Sequence, residues 1–244
     1  MNNPLIFKDV SFSYDKKHDI VENISFSLED REFMAVVGPN GGGKTTLLKL
    51  ALGILKPDCG KVKLLGEKPE KSRHRTGYVP QIVNFDNLFP ISVKDVVLTG
   101  LLKANSFFPF YSEEEIVRAI EVLDEVELSS QAEKRFGDLS GGQKQRALIA
   151  RSIVNNPQVL FLDEPVASVD PAMEKNIYSM LTRLNEKMAV VMISHDISVM
   201  PRYVSRIGCI NRQMIIHESK EAVAHSLSED FDKGVNFIHH KCGI

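Results

Sequence analysis

The chain has 244 residues, 43% of them hydrophobic and 25% charged, an ordinary composition for one large folded domain or two small ones. A net charge of -2 gives no electrostatic reason to expect nucleic acid as a partner. No apolar run approaches the ~18 residues of a membrane span. The opening MNNPLIFKDV lacks the basic-then-apolar pattern of a secretory signal. Three scattered cysteines, Cys59, Cys209 and Cys242, form no zinc or disulfide framework and fit a reduced, cytosolic compartment.

In chain order, FKDVSFSY (7–14) alternates, with Val10, Phe12 and Tyr14 on one face and Ser11 and Ser13 on the other. This predicts a half-buried strand, and ISFSLED repeats the pattern. FMAVVG (33–38), QVLFLDE (158–164) and MAVVMISHD (188–196) are short continuous apolar runs, as parallel strands buried on both faces require. GYV (77–79) begins like another, but Pro80 and Gln81 interrupt it, and Phe85, Leu88, Phe89 and Ile91 follow among Asn and Asp. That stretch is too irregular for a helix and too apolar for a plain solvated loop. Helical patterns cover 45–55, 113–126, 142–154 and 172–187. The alternation predicts an α/β fold with a mainly parallel sheet and an antiparallel N-terminal β edge. Residues 1–220 read as one domain, with a core of 1–85 and 156–220, an inserted helical subdomain at 86–155 and a tail at 221–244.

GPNGGGKTT follows the strand at 33–37 and opens a helix. It matches G-x-x-x-x-G-K-[ST] from Gly38 to Thr45, through Pro39, Asn40, Gly41, Gly42, Gly43 and Lys44, with Thr46 next. Glycines let backbone N–H groups curl round phosphates, the lysine adds a positive charge, the threonine offers a hydroxyl to Mg²⁺, and the helix N-terminus adds its dipole. A bare glycine-rich turn is the plain alternative. VLFLDEP (159–165) sets Asp163 and Glu164 at the carboxyl end of a buried strand, where open α/β sheets bind ligands. Asp163 suits Mg²⁺, and Glu164 suits a general base for an attacking water. In LSGGQKQR (139–146), Ser140 and Gln143 form a capping box, so a well-made helix start is one reading. Gly141 and Gly142 are poor helix formers and leave N–H groups open to an anion, which is the other. Half of each of two phosphate sites in one chain suggests a dimer with nucleotide in the seam.

Tyr14, GPNGGGKTT, Gln81, LSGGQ, VLFLDEP, SVDP and SHD, in that order over roughly residues 4–218, resemble the ATP-binding subunit of an ABC transporter. The resemblance implies that Tyr14 stacks on adenine, though its plain alternative is the last apolar residue of a strand face. It implies that Gln81 lies near Mg²⁺ and the attacking water. Ser140 and Gly142 would meet the γ-phosphate held by a second subunit, with Gly141 and Gln143 beside them. Ser168 and Asp170 would touch that subunit, and His195 would stabilise the γ-phosphate. Val166 stands where the family often has threonine, without consequence for the chemistry. ATP and Mg²⁺ are the implied cofactors, hydrolysis the reaction and a homodimer the working form, at the cytoplasmic face of the membrane. A separate permease would dock near Phe85, Leu88 and Phe89, with Ile91 and FFPFY (107–111) as further candidates, beside a metal-binding receptor protein.

GYVPQIVNFDNLFPISVKDVVLTG, the strand pair in GCINRQMIIHESKEAV (208–223) and Gly42 are similar to ATPases of zinc, manganese or iron uptake. Haem, cobalamin and iron-chelate importers, and ABC ATPases without transport, are the alternatives. Intact Glu164 and His195 argue against a cassette that binds nucleotide without hydrolysing it. His239, His240 and Cys242 could bind zinc weakly, though chain ends are usually frayed.

Overall fold

A computed structural model describes residues 3–81, 89–102, 111–166, 171–194 and 202–218. In chain order the elements are β1 (Leu5–Phe12), β2 (Val21–Leu28), β3 (Phe33–Val37), α1 (Lys44–Ala51), β4 (Cys59–Leu64) and α2 (Pro69–Ser72). Then come β5 (Thr76–Val79), α3 (Val93–Leu98), α4 (Glu113–Glu125), α5 (Gly141–Ile153), β6 (Val159–Asp163), α6 (Pro171–Asn185), β7 (Ala189–Ser194), β8 (Arg206–Asn211) and β9 (Gln213–Glu218). They fall into two compact units: the described parts of Met1–His74 and Thr182–Ile244, and those of Arg75–Leu181.

In the first unit, β3 runs parallel to β7 and β8, and β9 closes antiparallel on β8. Every residue of β3 and β7 is buried, which is why both read as continuous apolar runs. The expected antiparallel N-terminal strands form a sheet of their own, with β1 between β2 and β4. Its faces hold the stacked pair Phe7 and Phe26, ring centres 4.8 Å apart. β1 carries register shifts between Phe7 and Val10 and between Val10 and Phe12. At the first, Asp9 has φ 51°, and its N–H donates to the Ser25 hydroxyl at 2.8 Å while that hydroxyl donates back to its carboxylate at 3.0 Å. Short polar side chains thus satisfy backbone groups that the bulge takes out of the ladder.

Glu32 precedes β3 and is buried beside Arg206 of β8 at 3.0 Å. It also accepts the Glu29 N–H at 2.6 Å. Burial nevertheless pushes its carboxyl above the usual range, against the opposing pull of the Glu29 N–H and Arg206.

In the second unit, β5 and β6 pair in parallel, and β6 is buried at all five positions. α5 packs on β5, and α3 and α4 pack on α5 and on each other; each of the three is begun by a serine N-cap: Ser92, Ser112 and Ser140. Ser112 and Glu115 complete a capping box, and Glu113, Glu114 and Glu115 place negative charge on the first turn of α4, where the helix dipole favours it. Where α5 passes the short 3₁₀ turn Thr99–Leu101, Arg151 Nε donates to Thr99 Oγ1 at 2.8 Å. A Cβ on Gly100 would overlap the Arg151 carbonyl, so the two segments touch backbone to backbone.

Candidate nucleotide site

In the first unit, the β3–α1 connection holds the predicted phosphate loop. Gly38 is packed so closely on the Ile210 carbonyl that any side chain would collide with it. Gly43 caps α1 with φ 104°, and no side chain caps the helix. Such a left-handed turn costs glycine little and other residues more. The loop is closed by a Gly42 N–H bond to the Pro39 carbonyl at 3.1 Å. Lys44 is buried, and its ammonium donates to the carbonyls of Gly38 and Pro39 at 2.8 and 3.0 Å. The charge is therefore held inside the curve of the loop. Thr45 is exposed and Thr46 buried. Asn40 and Gly41 are exposed at the loop's tip.

The predicted face of β1 changes at its end. The strand stops at Phe12, Ser13 is buried at 8% exposure, and Tyr14 stands out at 59%. Tyr14 is thus not the last apolar residue of a strand face. Its ring meets Phe12 edge-on at 4.9 Å, and its hydroxyl lies 3.3 Å from Thr46 Oγ1. A large aromatic left uncovered beside a phosphate loop is suited to stack on a planar base.

In the second unit, β6 delivers Asp163, buried at 4% exposure, and the chain then turns through Glu164 at φ 50°. A non-glycine residue held there carries strain of order 1–3 kcal/mol, and such strain clusters at functional positions. Gln81, just past β5, donates from Nε2 to Glu164 Oε2 at 2.6 Å. The two predicted residues, 83 positions apart in sequence, therefore meet. Burial, with the Asp163 charge adding to it, raises the Tyr78 phenol above its ordinary pKa.

The predicted capping box at α5 is present in both directions: the Gln143 N–H donates to Ser140 Oγ at 3.3 Å, and the Ser140 N–H to Gln143 Oε1 at 3.0 Å. Ser140 and Gly141 are exposed. Gly142 is buried under α6, where a Cβ would lie 2.7 Å from Met173 Cε, so its missing side chain also serves packing. Of the apolar residues expected on the loop after Gln81, Phe89 is exposed at 57%. Ile91 is half-buried, and its carbonyl accepts the Phe136 N–H at 2.9 Å. Phe85, Leu88, residues 107–110, Ser168, Asp170, His195, His239, His240 and Cys242 lie outside the described residues.

Two features carry no motif. One is Met173 over Gly142. The other is the turn after Tyr14, where the Asp15 carboxylate gathers the N–H groups of Lys17 and His18 at 2.9 and 3.0 Å. An aspartate followed by polar residues at the end of an alternating run is an Asx-turn signal that could have flagged the second.

Taken by their chemistry alone, the Thr45 hydroxyl of the first unit and, in the second, the Asp163 carboxylate and the Gln81 amide are each oxygen donors of the hard kind that Mg²⁺ takes in small number beside phosphate. Among the described residues no cluster of three or more His, Cys, Asp or Glu could hold a metal by itself, and no helix is long and apolar enough to cross a membrane.

Residues 21–167 match the ABC transporter family. The chain is similar to the zinc uptake system ATP-binding protein ZurA of Listeria innocua, 38% identical over 94% of this chain and 91% of that one. It is similar to the high-affinity zinc uptake system ATP-binding protein ZnuC of Bacillus subtilis, 35% identical over 86% and 92%. Among solved structures, it is similar to an ATP-binding cassette in a dimeric, post-hydrolysis state bound to ADP and Pi, with a TM-score of 0.73, 27% identity and coverage of 88% and 98%.

Proposed function

Because the chain belongs to the ABC transporter family, as an ATP-binding subunit that hydrolyses ATP, we propose that it powers uptake of a divalent metal ion, zinc before manganese or iron. The hydrolytic reading is carried by Glu164, a strained carboxylate at the end of a buried strand, held by the Gln81 amide. The cargo reading rests on relatives at 35–38% identity that are named for zinc uptake.

In this reading Tyr14 stacks on adenine, and residues 38–46 wrap the phosphates with backbone N–H groups. Lys44 exchanges its two carbonyl partners for phosphate oxygens. Thr45, Asp163 and Gln81 hold Mg²⁺, which when bound neutralises phosphate charge. Glu164 accepts a proton from the water whose oxygen attacks the γ-phosphorus. The bond from that phosphorus to the bridging oxygen breaks, giving ADP and inorganic phosphate, and the proton passes to solvent. Ser140, Gly141, Gly142 and Gln143 of a second copy cover the γ-phosphate. Ser168 and Asp170 form the contact between copies, and His195 stabilises the γ-phosphate. ATP joins the two copies and hydrolysis separates them, so the differential affinity of ATP and ADP for the closed pair supplies the work. The loop carrying Phe85, Leu88 and Phe89 docks on a separate permease, holding the subunit peripherally at the cytoplasmic face of the membrane. A metal-binding receptor presents the cargo.

Two measurements test this. Glu164→Gln with saturating ATP should run as a dimer by light scattering; a monomer would refute the assignment of the base. In proteoliposomes holding permease and receptor, zinc should raise ATP hydrolysis more than manganese or iron does. Stimulation by haem, cobalamin or an iron chelate instead would replace the cargo and leave the ATPase intact.

A further inference from the structure

We propose that Asp15 is a positioning residue for nucleotide recognition, its carboxylate ordering the turn after β1 so that Tyr14 stands as a platform for the base. The inference rests on the adenine-stacking reading of Tyr14.

At 59% exposure, Tyr14 cannot be held by burial. Its ring has an edge contact with Phe12 and one hydrogen-bond distance to Thr46. Those contacts place the ring only if the backbone beneath it is fixed, and both neighbouring residues are tied by carboxylates. On one side the Ser13 N–H donates to Asp58 Oδ2 at 2.8 Å. On the other, Asp15 Oδ1 lies within 2.9 Å of the Lys17 N–H, 3.0 Å of the His18 N–H and 3.0 Å of the Ser13 hydroxyl. That hydroxyl also reaches the His18 carbonyl at 2.8 Å, and His18 Nδ1 lies 3.3 Å from Asp15 Oδ2. The Lys17 N–H first, then the His18 N–H, the His18 ring and the Ser13 hydroxyl hold the Asp15 carboxyl far below the usual carboxylate range. It therefore remains an acceptor at any ordinary pH.

The turn needs such an anchor. Lys16 sits at φ 57°, a conformation that a lysine adopts at a cost. Gathering the following N–H groups on one oxygen offsets that cost, as aspartate does in Asx-turns. The turn closes with the Ile20 N–H on the Phe12 carbonyl at 2.9 Å. Ile20 then abuts the phosphate loop, where a Cβ on Gly43 would lie 2.8 Å from the Ile20 carbonyl oxygen. Platform and phosphate loop are thus set at a fixed spacing by one turn, which Asp15 organises without touching the nucleotide.

The test is calorimetric binding of ATP and of inorganic tripolyphosphate to the full chain. Asp15→Ala should weaken ATP roughly three- to tenfold, the range expected for losing a small set of local hydrogen bonds, and leave tripolyphosphate unchanged. Asp15→Asn keeps an oxygen at the Oδ1 position and should restore most of the ATP affinity. Tyr14→Ala should show the same base-selective loss, and adding Asp15→Ala to it should cost nothing more. Equal losses for ATP and tripolyphosphate, or an asparagine variant as weak as alanine, would overturn the proposal. If Tyr14→Ala weakens ATP and Asp15→Ala does not, only the role of Asp15 fails. If Tyr14→Ala leaves ATP affinity intact, the stacking reading fails and takes the proposal with it.

Discussion

One pair of substitutions can separate the cap that Ser140 forms from the phosphate contact proposed for it. It caps α5 through a capping box, and it is proposed to meet the γ-phosphate bound by a second copy. Ser140→Ala removes the side-chain half of the box. Losing an N-cap costs about 1 kcal/mol, and the 3.3 Å bond from the Gln143 N–H is long enough to place this site in the lower half of the range. The helix itself should persist, because Ala147, Ile149, Ala150 and Ile153 are buried and tertiary packing carries most helical stability. A chain of 244 residues should then melt about 2–4 °C lower. Ser140→Asp retains a good cap, so its melting temperature should stay close to the parent's. It also sets a negative charge against the γ-phosphate. Two like charges about 4 Å apart at an effective dielectric of 20 repel by about 4 kcal/mol. That corresponds to roughly three orders of magnitude in rate, and screening by Mg²⁺ would reduce the loss to about two. The assay is thermal unfolding by circular dichroism beside phosphate release at saturating ATP. An aspartate variant with parental stability and parental turnover would refute the phosphate contact and leave Ser140 as a helix cap alone.

Two further substitutions test the packing and the electrostatics. Gly100→Ala forces a methyl group into the Arg151 carbonyl and against the Val154 side chain. It should destabilise the protein by roughly 3 kcal/mol, seen as a melting point about 6–12 °C lower; an unchanged melting point would mean that α5 and the 3₁₀ turn do not touch as described. Glu32 has its carboxyl pushed upward by burial, so the folded state holds its proton more tightly than the unfolded chain does. Its contribution to stability therefore falls as pH rises from about 4.5 through the raised value, and is recovered as pH is lowered. Glu32→Gln removes that titration, so the parent should gain stability relative to the variant as pH is lowered from 7 towards 4.5. Urea melts with parallel pH dependence in the two proteins would contradict it.

Periodicity and spacing alone revealed the elements whose burial is complete. β3, β6 and β7 are buried at every position, so each is written as an uninterrupted apolar run. The phosphate loop and the α5 capping box depend on residues a few positions apart, and local spacing is enough to specify them. β4 is a different case. Its exposed Cys59, Gly60, Lys61 and Lys63 leave only Val62 and Leu64 buried, too little alternation to read, and it is a strand because β1 supplies its hydrogen bonds. Tyr14 followed the same logic in reverse: the alternation runs through it, but β1 ends at Phe12, because the Ser13–His18 turn takes over the backbone.

The sequence by itself determined which chemical groups are present and in what order: the phosphate loop, the carboxylate pair, the glutamine and the capped glycines. Only the tertiary structure decided that the Gln81 amide holds the Glu164 carboxylate, that Met173 covers Gly142 and that Asp15 anchors the turn beneath Tyr14. Hydrophobic pattern encodes burial, a property of each residue and its near neighbours. A hydrogen bond between side chains 83 residues apart depends on where two strands end and which way the chain then turns, and no local spacing records that.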